Sequence, residues 1–239
     1  MNAIKLRDNI YWVGAIDWSM RSFHGYDTQR GSSYNAYLII DDTITLIDTV
    51  KHGFEEEMLA RISSVIDPSQ INCVISNHVE PDHSYGVSLI SSLAPSAKIV
   101  TSAPNGLKGL RAYYGELPYE TVKAGDSISL GKRTLQFIPT PMLHWPDSMV
   151  TYCPEEKILF SNDAFGQHLA SGKRFDDETM AMYRELHGQI NRAAVTSDRA
   201  DSQVLLDSIV VPKADWLKYL AAYEPGLQPM QEPLPGEAQ

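Results

Sequence analysis

Residues 71–83 read Ile71-Asn72-Cys73-Val74-Ile75-Ser76-Asn77-His78-Val79-Glu80-Pro81-Asp82-His83. Ile71 to Ser76 is a short apolar run of the kind that forms a buried strand. It passes directly into His78-x-Glu80-x-Asp82-His83, four metal-ligating side chains at a strand end. Given the composition of the chain, that pattern arises by chance in about one such sequence in a thousand. Side chains two apart on extended backbone share a face, so His78 and Glu80 come together. Pro81 then turns the chain, and Asp82 and His83 address a neighbouring position. One short loop can therefore feed two metals. The competing reading, a solvated polar loop, is disfavoured by the strand-end placement.

Two more donors follow strand signals downstream. His144 lies in Pro141-Met142-Leu143-His144-Trp145-Pro146-Asp147-Ser148, and Asp163 in Leu159-Phe160-Ser161-Asn162-Asp163-Ala164. Alone, His144 reads equally well as a hydrogen-bonded structural histidine, and Asp163 as a turn residue or helix N-cap. Added to the cluster, they make three carboxylates and three histidines. Three negative charges against two divalent cations leave a small positive remainder, matched by a bridging hydroxide or oxide. Oxygen-rich donors favour iron or manganese over zinc, and non-haem iron with open positions suits oxygen or nitric oxide chemistry better than hydrolysis. His24 and His52 have no such context and read as surface or packing residues. Cys73 and Cys153 fall within strand signals and read as small buried hydrophobes.

The rest of the chain supplies a scaffold. Strand signals cover 10–13, 36–40 and 43–47, the last two joined by an Asp41-Asp42 turn. Phe54, Met58, Leu59, Ile62 and Val65 recur at helical spacing, with Asp67-Pro68 as the stop. Helices are expected over 84–93 and 105–114, and strands over 98–101, 119–122, 127–130 and 134–139. A hairpin is expected from 149–153 and 157–161. This mixture predicts an α/β sandwich with helices outside the sheets. Further helical segments are expected over 178–190 and 214–223. Four prolines after Glu224 mark 224–239 as a Pro-rich disordered tail, which places the domain at 1–223.

Composition narrows the function. A chain of 239 residues with 43% hydrophobic content buries a core without staples. Thirty acidic against twenty basic residues give a net charge of −10, which argues against nucleic acid and anionic membrane as partners. Two distant cysteines exclude a disulfide scaffold, a rubredoxin-type iron site and a cysteine-ligated iron–sulfur cluster. The N-terminus lacks the apolar run of a signal peptide, and no stretch approaches the ~20 apolar residues of a membrane span. A cytoplasmic location is expected.

On these motifs the chain resembles the flavodiiron proteins (A-type flavoproteins). The resemblance extends over 10–18, 23–26, 46–49, 137–148 and 160–168, and covers about residues 3–178. It implies an α/β (α+β) fold, the metallo-β-lactamase-like αββα sandwich, incomplete in its C-terminal half. In hydrolases of that superfamily the strand-end motif has histidine where Glu80 stands, so Glu80 marks the diiron variant. The resemblance implies two Fe, with His78, Glu80 and His144 on one, Asp82 and His83 on the other, and Asp163 bridging. It further implies reduction of dioxygen to water or nitric oxide to nitrous oxide, with a flavodoxin-like or rubredoxin-like electron donor. Asp48 would be an acid that orients a ligand, with Trp145 and His168 near the site.

Two departures accompany this resemblance. The family carries FMN in a C-terminal flavodoxin-like domain, usually that of the partner subunit in a head-to-tail homodimer. Here no phosphate-binding loop follows a strand, so FMN is expected only through a partner or missing domain. The family's last histidine ligand has no counterpart. His187 is the only histidine after His168 and comes 24 residues past Asp163, earlier than the resemblance requires. The second iron position is thus expected to lack a ligand, and the isolated chain to be a poor reductase. A binuclear zinc hydrolase and a non-catalytic remnant are the alternatives.

Overall fold

Neighbouring residues on the central strands are apolar on both faces, and that double burial fixes the layering. The computed structural model describes residues 1–165 and 168–174. The chain begins with β1 (Ile4–Arg7) and β2 (Ile10–Trp12). A ribbon of β3 (Ala15–Asp17) and β6 (Ser32–Tyr34) encloses a tight hairpin of β4 (Ser22–Phe23) and β5 (Tyr26–Asp27). There follow β7 (Tyr37–Ile39), β8 (Thr45–Ile47), α1 (Glu55–Ser63) and β9 (Cys73–Ser76). Helices α2 (Pro81–Ser84) and α3 (Val87–Leu93), strand β10 (Lys98–Ser102), α4 (Asn105–Tyr114) and β11 (Tyr119–Val122) come next. The second half is β12 (Ser127–Ser129), β13 (Thr134–Pro139), β14 (Met149–Cys153) and β15 (Ile158–Phe160).

Seven strands form one sheet in the order β1-β2-β7-β8-β9-β10-β11, antiparallel up to β8 and parallel from β8 to β11. The antiparallel β12-β13-β14-β15 sheet packs against it. Leu38, Leu46, Val74 and Ile99 face the helices and bury Met58, Ile62, Ile90 and Leu110. Their neighbours Ile39, Ile47, Ile75 and Val100 face the second sheet and meet Leu135, Phe137, Met149 and Phe160. One residue to each side, repeated on four strands, makes the helix–sheet–sheet layers of the expected sandwich. Cys73 and Cys153 are free and buried, as read from the strands.

At one end of the sandwich a cation ties the turns together. Arg133 donates from Nε to Glu156 Oε1 (2.8 Å) and from Nη2 to the carbonyl of Asp8 (2.8 Å). The backbone amides of Lys132 and Arg133 both donate to the Asp41 carboxylate (3.1 Å each). Gly131 sits there at φ +127, where an added Cβ would lie 2.6 Å from Asp41 Oδ1. The turns β1–β2, β7–β8, β12–β13 and β14–β15 therefore meet at this end, and the opposite strand ends stay free for the site.

Two expectations are corrected. Five short strands, β1 and β3–β6, occupy stretches given no element in the sequence reading. The helix expected over 84–93 breaks at Gly86, and a separate turn of helix, α2, carries Asp82 and His83. Gly86 donates its amide to Thr49 Oγ1 (3.1 Å), and a Cβ there would lie 3.0 Å from both Met58 Cε and Thr49 Cβ. Tertiary contact thus overrides local propensity. The segments 178–190 and 214–223, the domain limit at 223, the tail and His187 lie outside the described residues.

Candidate metal centre

Every sequence-predicted donor that the structure describes lies beyond the carboxyl end of a strand, where open α/β sheets present their crevices. His78 and Glu80 extend from β9, and Asp82 and His83 sit on α2 immediately after. His144 is carried by the loop between β13 and β14, and Asp163 by a single 3-10 turn, Asn162–Phe165, after β15. The large sheet thus gives four donors and the small sheet two.

One donor atom each from His78, Glu80, His144 and Asp163 lies within 4.8 Å of the others, a group able to hold a metal ion. Glu80 Oε2 is 3.2 Å from His78 Nε2 and 3.0 Å from His144 Nε2. Asp163 Oδ2 is 3.8 Å from both ring nitrogens. Metal–donor bonds of about 2.0–2.2 Å place adjacent donors about 3.0–3.5 Å apart, a spacing that the Glu80 contacts match while Asp163 stands somewhat wider. On the other side, Asp163 Oδ1 is 2.8 Å from His83 Nε2, and Asp82 Oδ2 is 3.3 Å from the same nitrogen. The two oxygens of Asp163 therefore face different donor sets.

The second set holds buried polar atoms that lack hydrogen-bond partners. Both ring nitrogens of His83 and Oδ1 of Asp82 are buried with no hydrogen-bond partner. His83 Nε2 is close to Asp163 Oδ1 yet lacks the alignment of a hydrogen bond. Orphaned buried polar atoms are costly, and a cation between them removes the cost. Without one, protons carry the compensation. Burial opposes charge on His83, but Asp163, Asp82 and Asp48 push it up to about 10. Burial likewise opposes charge on His78, yet its bonds to Asp147 and Glu80 raise it to about 9. Burial also works against Glu80, and its histidine partners His78, His144 and His24 nevertheless hold it down at about 2. Asp82 is raised by burial and by the charges of Glu80 and Asp163.

Around these donors lies a ring of support, in which Asp147 and His24 were not anticipated. His78 donates from Nδ1 to Asp147 Oδ2 (2.9 Å), and the amide of Val79 donates to the same oxygen (2.8 Å). Asp147 is buried in the loop of His144 and fixes the ring orientation of His78, the usual task of a carboxylate behind a ligating histidine. Asp48, expected to orient a ligand, acts one residue away. It accepts from the amide and the side chain of Asn77 (2.8 and 2.9 Å), and Asn77 Oδ1 accepts from Thr151 Oγ1 (2.7 Å). Trp145 packs edge-on to His78, and His168 lies against Phe23. His24 is largely exposed, as a surface residue should be, yet it donates to Glu80 Oε1 at 2.5 Å. The signal that could have found it is Phe23-His24-Gly25-Tyr26, an X-Gly hairpin turn between two aromatics. His52 is exposed and pairs with Glu55, away from the donors.

The model of the ODP family beta lactamase domain matches residues 33–204. The chain belongs to that family. Among ODP-family relatives, a nitric oxide reductase from Moorella thermoacetica is 48% identical over 182 residues, covering 74% of this chain and 45% of that protein. The flavodiiron protein from Giardia intestinalis superposes with a TM-score of 0.74 at 39% identity, covering 81% of this chain and 51% of that one. Rubredoxin oxygen:oxidoreductase from Desulfovibrio gigas gives 0.73 at 40% identity, with 82% and 52% covered. The chain spans about half the length of the relatives it matches. The ODP assignment bears out the metallo-β-lactamase-like fold and the resemblance to the flavodiiron proteins. Among the described residues no helix is long and apolar enough to cross a membrane.

Proposed function

We propose that this chain is the metal-bearing half of a flavodiiron-type reductase, with iron held by His78, Glu80 and His144 and by Asp82 and His83. Asp163 would bridge the two positions. The observation that carries this reading is Asp163 itself, with Oδ2 toward His78 and His144 and Oδ1 toward His83. When bound, the iron pair supplies electrons and open coordination positions to dioxygen or nitric oxide. Reduction of dioxygen to water consumes four electrons and four protons, and coupling of two nitric oxides to nitrous oxide and water consumes two of each. The names of the relatives, nitric oxide reductase and rubredoxin oxygen:oxidoreductase, support both substrates.

The chain's own residues do the positioning. Asp147 holds His78 in one tautomer by accepting from Nδ1, which leaves Nε2 for the metal. Asn77, clamped by Asp48 and Thr151, fixes the backbone from which His78 departs. Trp145 covers one edge of His78 and keeps water from that side. Electrons arrive from FMN in a flavodoxin-like domain, supplied by a further domain or by the partner in a head-to-tail homodimer in the cytoplasm, or from a rubredoxin-like donor. The second iron position, with Asp82, His83 and Asp163 as its donors, binds more weakly than the first.

The test is anaerobic reconstitution with ferrous iron, followed by iron quantitation and gas-consumption assays with a chemically reduced flavodoxin. One firmly held iron per chain, a second held more weakly, and slow consumption of nitric oxide or dioxygen are expected. Stoichiometric zinc with hydrolysis of a thioester or lactam would overturn the reading.

A further inference from the structure

We propose that His24 is a positioning residue that holds Glu80 to one-oxygen coordination, and so keeps a coordination position open at the first metal. This rests on the metal reading above. A carboxylate can give a cation one oxygen or two. Oε2 of Glu80 is the oxygen that faces the other donors, at 3.2 Å from His78 Nε2 and 3.0 Å from His144 Nε2. Oε1 is taken by His24 Nε2 at 2.5 Å, and an oxygen accepting so short a bond turns toward its donor rather than toward the metal. The Glu80 side chain is only 5% exposed, so solvent does not compete freely for Oε1. His24 itself is 60% exposed and stands between solvent and the carboxylate.

The backbone is built to place that ring. His24 and Gly25 sit at φ +49 and +84, the positive pair of a tight two-residue hairpin turn between β4 and β5. Histidine tolerates the left-handed region better than most residues, and Gly25 accepts it without cost. The amide of Thr28 donates to the carbonyl of Arg21 (3.0 Å) and closes the base of the hairpin. Phe23 anchors its arm, with ring centroids 4.2 Å from His24 and 5.1 Å from His168, and Lys51 Nζ lies 5.7 Å above its face. A two-strand hairpin 56 residues before Glu80 thus carries His24 onto a metal donor.

The test uses the full chain loaded with cobalt(II), whose visible bands report coordination number, and azide as a probe of open positions. His24→Asn keeps the turn, since asparagine also favours positive φ, but is too short to reach Glu80. His24→Gln restores a donor at similar reach. In His24→Asn, Glu80 is expected to chelate, the cobalt bands to fall to about half or less, and azide affinity to drop about tenfold. Metal affinity itself should fall by about tenfold or more, and His24→Gln should recover most of each effect. Bands and azide affinity unchanged in His24→Asn would overturn the proposal, as would equal changes in both variants. If His24→Asn takes up no cobalt, recovery by His24→Gln supports the proposal and failure to recover overturns it. A wild-type chain that takes up no cobalt removes the metal reading and the proposal together, whereas normal uptake with unchanged variants removes the proposal alone.

Discussion

The two donor sets that share Asp163 are built differently. In the first, the protein already holds the side chains: Asp147 takes the far nitrogen of His78, and His24 takes the spare oxygen of Glu80. In the second, both nitrogens of His83 and one oxygen of Asp82 are buried without a hydrogen-bond partner, and His83 is held by its ion pairs with Asp163 and Asp82. On the proposed reading, the first set would be organised before a cation arrives and the second by the cation. Preorganisation lowers the ordering cost of binding, so the sets should differ in affinity even with similar donor chemistry.

The largest expected effect comes from removing the shared residue. Asp163→Asn should lower metal affinity at both positions by more than about tenfold, since second carboxylates and backbone groups cannot replace a bridging anion. Iron content after dialysis against a graded chelator measures it. If only one position is lost, the two oxygens of Asp163 do not serve separate sets. Asp147→Asn should act on the first set alone and weaken it by about 10–100-fold, narrowing the gap between the sets. A calorimetric titration that still shows two unequal steps would contradict this assignment.

Metal loading should raise thermal stability, with the first equivalent contributing most. At a free metal concentration of 100 times Kd, one tight site adds about 2.7 kcal/mol, and a chelator should reverse the shift. Without metal, stability should depend on pH in a defined direction. The folded values of His78 and His83, about 9 and about 10, lie above the usual 6.5. Their ion pairs therefore stabilise the fold fully below about pH 6.5, and that contribution is lost as pH climbs through 9 and 10. Melting of chelator-treated protein should fall across this window, and a flat profile would refute it. The smallest effect concerns the support behind the first set. Thr151→Val leaves Asn77 Oδ1 without its donor and should cost about 1–3 kcal/mol in urea unfolding, with little change in metal stoichiometry.

Much of this was written locally in the chain. The helix expected over 105–114 and the strand over 134–139 appear with those limits, because the periodicity of each is carried by its own residues. The donors His78, Glu80, Asp82 and His83 were visible because they follow one strand without interruption. What escaped depends on contacts across long separations. The strands β3 to β6 are two or three residues each and hold together by pairing, with too little sequence to show a period. Helix α3 starts late because Gly86 packs on Met58 and Thr49 from elsewhere in the chain. Asp147 and His24 meet His78 and Glu80 over 69 and 56 residues, and a local pattern such as Phe23–Tyr26 marks the turn without naming its distant partner.

The Arg133 knot has a mechanical consequence for the opposite end. With four turns clamped by Arg133, Asp41 and Glu156, the two sheets behave like jaws hinged at one end. The other end is closed across the jaws by side chains from both sheets, His78 and Asp147 among them, and by whatever cation His83 and Asp163 enclose. Loss of a cation at that end would loosen it first. Fraying then has a direction, starting at the loops of His144 and Asp163 and running down β13 to β15 toward the hinge.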